Sequence, residues 1–276
     1  MRFGRFSPNG GPPRIGLFKD DRVFEIDDAG IEAVLGLDEP AALKGRHHER
    51  AAVKLLPPVV LPSKVLCVGI NYVPHMEESN FERPTEPVVF SKLPSALIGP
   101  EDAIVLPKAA PLRVDYEAEL VIVIGRGGRD IDREHALEHV AGYTVGNDVS
   151  ARDWQLKKAG GQWLLGKSFD TFLPLGPWIV TPDEFGDPAT RHVRCRVNGE
   201  LLQDDVLANL IFDFATVIAY VSQVATLAPG DLIMTGTPGG VGQSRTPPRW
   251  LQEGDVVETS VDGIGTMRNP VRVAPA

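Results

Sequence analysis

The chain holds only two cysteines in 276 residues, Cys67 and Cys195, too few for a disulfide scaffold. Each lies in a strand-like run, 65–70 and 193–197, so both are expected to be reduced and structural. No apolar run approaches the ~20 residues that cross a bilayer, and residues 1–6, Met-Arg-Phe-Gly-Arg-Phe, are not an apolar leader. The expectation is a cytoplasmic protein without a membrane partner. Basic residues are in deficit, with 28 Lys and Arg against 37 Asp and Glu, for a net charge of -9. That balance argues against a nucleic-acid partner, because phosphate backbones are gripped by clustered cations. It leaves room for a small anionic substrate in a locally basic pocket. Internal repeats and low-complexity tracts are also missing. What remains, 43% hydrophobic and 24% charged, is the composition of a folded protein with a substantial core.

Two nucleotide-binding patterns fail on physical grounds. Gly161-Gln162-Trp163-Leu164-Leu165-Gly166-Lys167-Ser168 matches G-x-x-x-x-G-K-[ST], but its interior is Trp-Leu-Leu, and a polar, helix-like segment precedes it where a phosphate loop needs an apolar strand. Gly125-Arg126-Gly127-Gly128 follows a strand but has Asp130 where a dinucleotide fingerprint has its third glycine, so it reads as a turn.

Pro57, Pro58 and Pro62 make the best boundary, dividing a small N-terminal α/β appendage, residues 1–58, from a main domain, residues 59–276. In the appendage, strands are predicted at 14–18 and 22–26 and helices at 31–35 and 41–55. Beyond the boundary, strands are predicted at 65–70, 88–91, 103–106, 118–124, 177–180, 193–197, 231–235 and 256–261. One amphipathic helix is predicted over 213–227, with Phe214, Val217, Ile218, Val221, Val224 and Ala225 on its core face. Strands outnumber helices without regular alternation. The expected fold is therefore α+β, a mixed sheet rolled into a barrel-like core.

Chemistry concentrates in a few segments. In Asp115-Tyr116-Glu117-Ala118-Glu119, residues two apart on a strand face the same way, so Glu117 and Glu119 converge beside an apolar stretch. Asp148, in Gly146-Asn147-Asp148-Val149-Ser150, is a third acid. Three carboxylates without cysteine or histidine suit a hard divalent ion such as Mg²⁺ or Mn²⁺; the bland alternative is a set of solvated strand-end acids. If Pro74 opens a short helix, His75 and Glu78 share a face, the spacing by which a carboxylate orients an imidazole as a general base. A surface pair would look the same. Lys167, in a Trp- and Leu-rich segment, can steady an oxyanion or simply snorkel. Arg152 and Gln155 lie on a helix-like segment, 150–157, that reaches toward the same place. The glycine-rich loop 235–242 suits an anionic ligand.

Taken together these segments resemble the fumarylacetoacetate hydrolase family, over about residues 62–273. The resemblance rests on Gly69-Ile70-Asn71-Tyr72 with His75 and Glu78, on Asp115-Tyr116-Glu117-Ala118-Glu119-Leu120, on Asn147-Asp148-Val149-Ser150-Ala151-Arg152-Asp153, on Gly166-Lys167-Ser168-Phe169-Asp170 and on Gly236-Thr237-Pro238. It implies Glu117, Glu119 and Asp148 as Mg²⁺ or Mn²⁺ ligands and His75 with Glu78 as a water-activating pair on a mobile lid. Lys167 and Thr237 would contact substrate, with Arg152 and Gln155 lining the site. It also implies a homodimer acting on a small 2-oxo acid. Carbon-carbon bond hydrolysis of an acylpyruvate is the first expectation. The same enolate chemistry serves oxaloacetate tautomerisation or decarboxylation and 2-hydroxyhepta-2,4-diene-1,7-dioate isomerisation. The stretches 151–155 and 162–172 are similar to the tautomerase branch. A non-catalytic metal-binding protein on the same fold is the reading from another class.

Overall fold

The computed structural model describes residues 1–8, 10–26, 42–79, 81–110 and 112–275. In chain order the strands are β1 (Arg2–Pro8), β2 (Arg14–Lys19), β3 (Arg22–Ile26), β4 (His47–Glu49), β5 (Val53–Leu55), β6 (Val65–Gly69), β7 (Val88–Lys92), β8 (Leu97–Ile98), β9 (Ile104–Leu106) and β10 (Val114–Asp115). They continue as β11 (Ala118–Ile124), β12 (Val140–Asn147), β13 (Ser150–Ala151), β14 (Leu173–Val180), β15 (His192–Val197), β16 (Glu200–Val206), β17 (Leu232–Met234), β18 (Val256–Val261) and β19 (Gly265–Val273). Among the described residues the α-helices are α1 (Val73–Glu78), α2 (Trp163–Lys167), α3 (Pro182–Phe185) and α4 (Phe214–Val224).

The large sheet runs β4-β3-β2-β1-β14-β12-β11-β17-β6-β7, and a second runs β16-β15-β18-β19-β9. The mixed α+β class agrees with expectation; barrel closure does not. β4 and β7 end the large sheet without pairing to each other, so it is open. The core is closed another way, because the second sheet packs on β11, β12 and β14. Covered in this way, β11 and β12 are buried at every residue, which is why β11 beyond Glu119, residues 120–124, reads as an unbroken apolar run rather than an alternating one. Complete burial of each Leu or Ile there contributes about 1.5–3 kcal/mol.

Several elements differ from expectation. Within the predicted helix 41–55, residues 47–55 form β4, a 3₁₀ turn and β5, because β4 pairs with β3 and β5 with β1. Val53 and Leu55 face inward around an exposed Lys54, a period of two and not 3.6. The helix predicted at 31–35 lies outside the described residues. Segment 150–157 begins as β13, paired with β10, and becomes a single π-helical turn at Asp153–Lys157. α4 is three residues shorter at its C-terminus than predicted; Asp213 caps its start by accepting from the Thr216 N–H at 2.8 Å. Its core face stops at Val221 and Ser222, and Val224 is exposed.

The topology gathers four strand ends at one place. β17 runs parallel to β6, so the loops following Met234 and Gly69 leave on the same side. β11 runs antiparallel to β17 and therefore starts there. β12, antiparallel to β11, ends there.

Candidate active site

The β11–β12 register sets the acids. Ala118 stands opposite Asn147 and Glu119 opposite Gly146, and one step beyond, the Asp148 N–H donates to the Glu117 carbonyl at 2.8 Å. Residues 117, 119 and 148 thereby bring one carboxylate oxygen each within 4.8 Å of one another, all three side chains buried. Asn147 locks the junction by accepting from the Glu117 N–H at 3.0 Å. Burial without solvent is costly for three like charges, so the cluster must be compensated.

Cations supply part of that compensation. Lys167 Nζ lies 2.7 Å from Glu117 Oε2 and 2.7 Å from Asp148 Oδ2. Arg152 approaches Glu117 Oε1 at 2.7 Å and Asp115 Oδ2 at 2.8 Å, and donates to Gln155 Oε1 at 2.8 Å. Burial pushes Glu117 up, but Lys167 and Arg152 outweigh it and hold its carboxyl down to about 2. Burial likewise lowers Lys167, and Asp148 with Glu117 carry it above its ordinary value. Glu119 is the exception. It accepts the Gly236 N–H at 2.8 Å, and burial, then Asp148 and Glu117, push its carboxyl well above the usual range. A cavity rimmed by three oxygen donors, one of them short of positive charge, fits a hard divalent cation.

The opposite wall is α1. Pro74 stands in its first turn, and His75 Nδ1 donates to Glu78 Oε1 at 2.8 Å. Glu78 Oε2 accepts from the Gly240 N–H at 2.7 Å, so one carboxylate orients the imidazole and ties α1 to the glycine-rich loop. Asn71, buried just before α1, donates to the Thr235 and Phe212 carbonyls and accepts from the Phe212 N–H. Ile70 takes a positive φ of 56°, rare for a β-branched residue, and lines the pocket with Phe90 and Trp163. The pocket has a cavity volume of about 60 Å³.

His75, Glu117, Glu119, Arg152, Gln155, Lys167 and Thr237 all line this pocket. Asp148 joins through the triad and Glu78 through His75. Lys167 ends α2, inside the stretch that mimicked a phosphate loop, and points at carboxylates. Sequence reasoning missed four supports. Lys92 is fully buried with Nζ 2.7 Å from Asp148 Oδ1. Asp115 receives Arg152 and the Gly242 and Gln243 N–H groups. Gln203 donates to Thr237 Oγ1. Asn71 and Asp115 stood inside quoted motifs; Lys92 had only the weak signal of a lysine closing an apolar strand, and Gln203 had none.

Comparison with known proteins agrees with this geometry. The family model described as fumarylacetoacetate (FAA) hydrolase C-terminal matches residues 64–272, and one described as Rv2993c-like, N-terminal, matches residues 1–58. The chain is 45% identical to the mitochondrial oxaloacetate tautomerase fahd2 of Xenopus laevis, over 98% of this chain and 90% of that protein. Among solved structures it is similar to 5-carboxymethyl-2-hydroxymuconate delta-isomerase from Mycobacterium smegmatis, at 40% identity and a TM-score of 0.83, with both chains fully covered. It is also similar to maleylpyruvate hydrolase from Sphingobium sp. SYK-6, solved with manganese(II) and pyruvate, at 33% identity and a TM-score of 0.79, again with full coverage of both. The chain belongs to the fumarylacetoacetate hydrolase C-terminal family.

Proposed function

We propose that the chain is a divalent-metal-dependent tautomerase of a small 2-oxo acid, with oxaloacetate as the first substrate to test. The observation that carries this reading is the 45% identity to an oxaloacetate tautomerase across 98% of the chain, a span that includes the pocket walls as well as the acids. Carbon-carbon hydrolysis, the first expectation from sequence, becomes the second reading; the likeness to maleylpyruvate hydrolase keeps it in play.

Glu117, Glu119 and Asp148 would hold Mg²⁺ or Mn²⁺, which when bound supplies Lewis-acid polarisation of the carboxylate and 2-keto oxygens. The protein's own groups do the rest. His75 has Nδ1 engaged by Glu78, leaving Nε2 to take a proton from the carbon next to the ketone. Lys167 donates a hydrogen bond to the oxygen on which negative charge develops. The proton then returns from Nε2 to that oxygen, giving the enol, and the reverse sequence regenerates the ketone. No water is consumed. In hydrolysis the same imidazole would instead deprotonate a water for attack on a distal carbonyl.

Proton NMR separates the two readings. Purified protein with Mg²⁺ is incubated with oxaloacetate, and separately with acetylpyruvate and fumarylpyruvate, each against a chelated control. Metal-dependent acceleration of keto-enol exchange with intact acylpyruvates supports the tautomerase. Release of acetate or fumarate with pyruvate moves the assignment to the hydrolase.

A further inference from the structure

We infer that Lys92 is a positioning residue for the metal site, acting through Asp148; the inference rests on the metal reading above. Lys92 ends β7, an edge strand of the large sheet. Lysines on edge strands ordinarily face water and discourage strand pairing. This one turns inward until its side chain has no exposure, an arrangement rarely maintained without a specific partner. Its partners are two, and both belong to the acid-bearing turn. Nζ donates to Asp148 Oδ1 at 2.7 Å and to the carbonyl of the next residue, Val149, at 3.2 Å. One ammonium therefore grips a ligand's side chain and the peptide behind it.

The consequence is geometric. With Oδ1 held by Lys92, Oδ2 is the oxygen turned toward Lys167. The Asp148 ring of contacts allows little rotation: its backbone N–H is tied to Glu117, its Oδ1 to Lys92 and its Oδ2 to Lys167. Lys92 and Lys167 thus divide the carboxylate between them. Lys167 lines the pocket, whereas Lys92 lies behind the acid and outside the pocket lining. Partners that orient a metal-ligating group from behind alter metal affinity by about 10- to 100-fold when removed.

The test is Mn²⁺ binding by titration calorimetry, with Mn²⁺ paramagnetic resonance as a second readout, on wild type, Lys92→Met, Lys92→Arg and Asp148→Asn. Wild-type binding is the control on the metal reading: if wild type takes up no Mn²⁺, that reading fails before Lys92 is tested. Given wild-type binding, Lys92→Met is expected to weaken Mn²⁺ by about 10- to 100-fold and to broaden the spectrum. Lys92→Arg, which keeps the charge and N–H donors, is expected to lose less. Asp148→Asn, which removes the carboxylate that Lys92 grips, is expected to lose at least as much affinity as Lys92→Met. Wild-type or tighter affinity in folded Lys92→Met overturns the inference. Should the methionine variant fail to fold, Lys92→Arg decides: a measurable loss of affinity supports the role, and wild-type affinity with a wild-type spectrum overturns it.

Discussion

The backbone N–H of Asp148 donates to the carbonyl of Glu117 at 2.8 Å, and that bond is what brings together acids 31 positions apart (148 minus 117). The site is thus a product of strand register. A slip of one residue between β11 and β12 would turn Glu119 away from Asp148 and into the apolar packing, so the geometry of the acids is as stable as the buried ladder beneath them.

Replacing His75 by Ala should separate chemistry from metal binding. The imidazole touches Glu78 and the pocket, not the acid triad. A fall in kcat of about 10² to 10⁴ is expected from loss of the proton carrier, with Mn²⁺ affinity unchanged. Keto-enol exchange measured by NMR, alongside calorimetry with Mn²⁺, checks both halves. A variant that keeps full turnover would remove His75 from the mechanism.

Gly240→Ala should impair turnover from a distance. Gly240 has a φ of 95°, and a Cβ placed there would lie 2.2 Å from the Leu202 carbonyl oxygen. The loop must shift, carrying away the N–H that holds Glu78 Oε2. Misplacing the Glu78-His75 pair by about 1 Å costs on the order of 10²-fold in rate. A kcat within twofold of wild type would show that the tie between loop and α1 is dispensable.

Glu117 makes the metal-free protein acid-sensitive. Its carboxyl is held at about 2 when folded, against an ordinary 4.5, so the folded state prefers the ionised form. That contribution, on the order of 3 kcal/mol, is present above pH 4.5 and is lost as pH falls toward 2. Urea unfolding midpoints in chelator should drop across that window in wild type. In Glu117→Gln the drop should be shallower, starting from a lower stability at pH 7, because Lys167 and Arg152 lose a buried partner.

Much of the site was legible because short motifs sit where strands begin and end. Alternation put Glu117 and Glu119 on one face, and proline opened α1 beneath His75. Less visible were features set by distant packing. β12 went unrecognised although all its residues are buried, because Gly142 and Gly146 interrupt the pattern; a Cβ at Gly142 would lie 2.4 Å from the Val180 carbonyl oxygen. β14 begins before Pro177, with Pro174 near its start beside parallel β8, so proline there lies within a strand rather than ending one. Openness of the sheet was hidden for the same reason, since covering by a second sheet and closure into a barrel both demand inward apolar strands. Lys92 follows the predicted strand 88–91, and only its burial separates it from a solvated edge-strand lysine.

Glu119 should couple metal uptake to proton release. Burial, Asp148 and Glu117 raise its carboxyl well above 4.5, so the metal-free folded state holds its proton to higher pH than the unfolded chain does. A raised group of this kind stabilises the fold at pH below the unfolded value, and that contribution is lost as pH rises through the folded value. A divalent cation requires the ionised carboxylate and displaces the proton. Mn²⁺ affinity should therefore climb with pH, and binding enthalpies measured in buffers of different ionisation heat should differ by an amount that reports proton release. Glu119→Gln removes the repulsion without supplying a ligand charge. It should melt higher than wild type in chelator, lose Mn²⁺ binding and turnover together, and show no buffer dependence. Buffer-independent Mn²⁺ enthalpy in wild type would mean that Glu119 is already ionised before the metal arrives, and Lys167, Arg152 and Lys92, which contact only Glu117 and Asp148 among the three acids, would then have to compensate Glu119 as well.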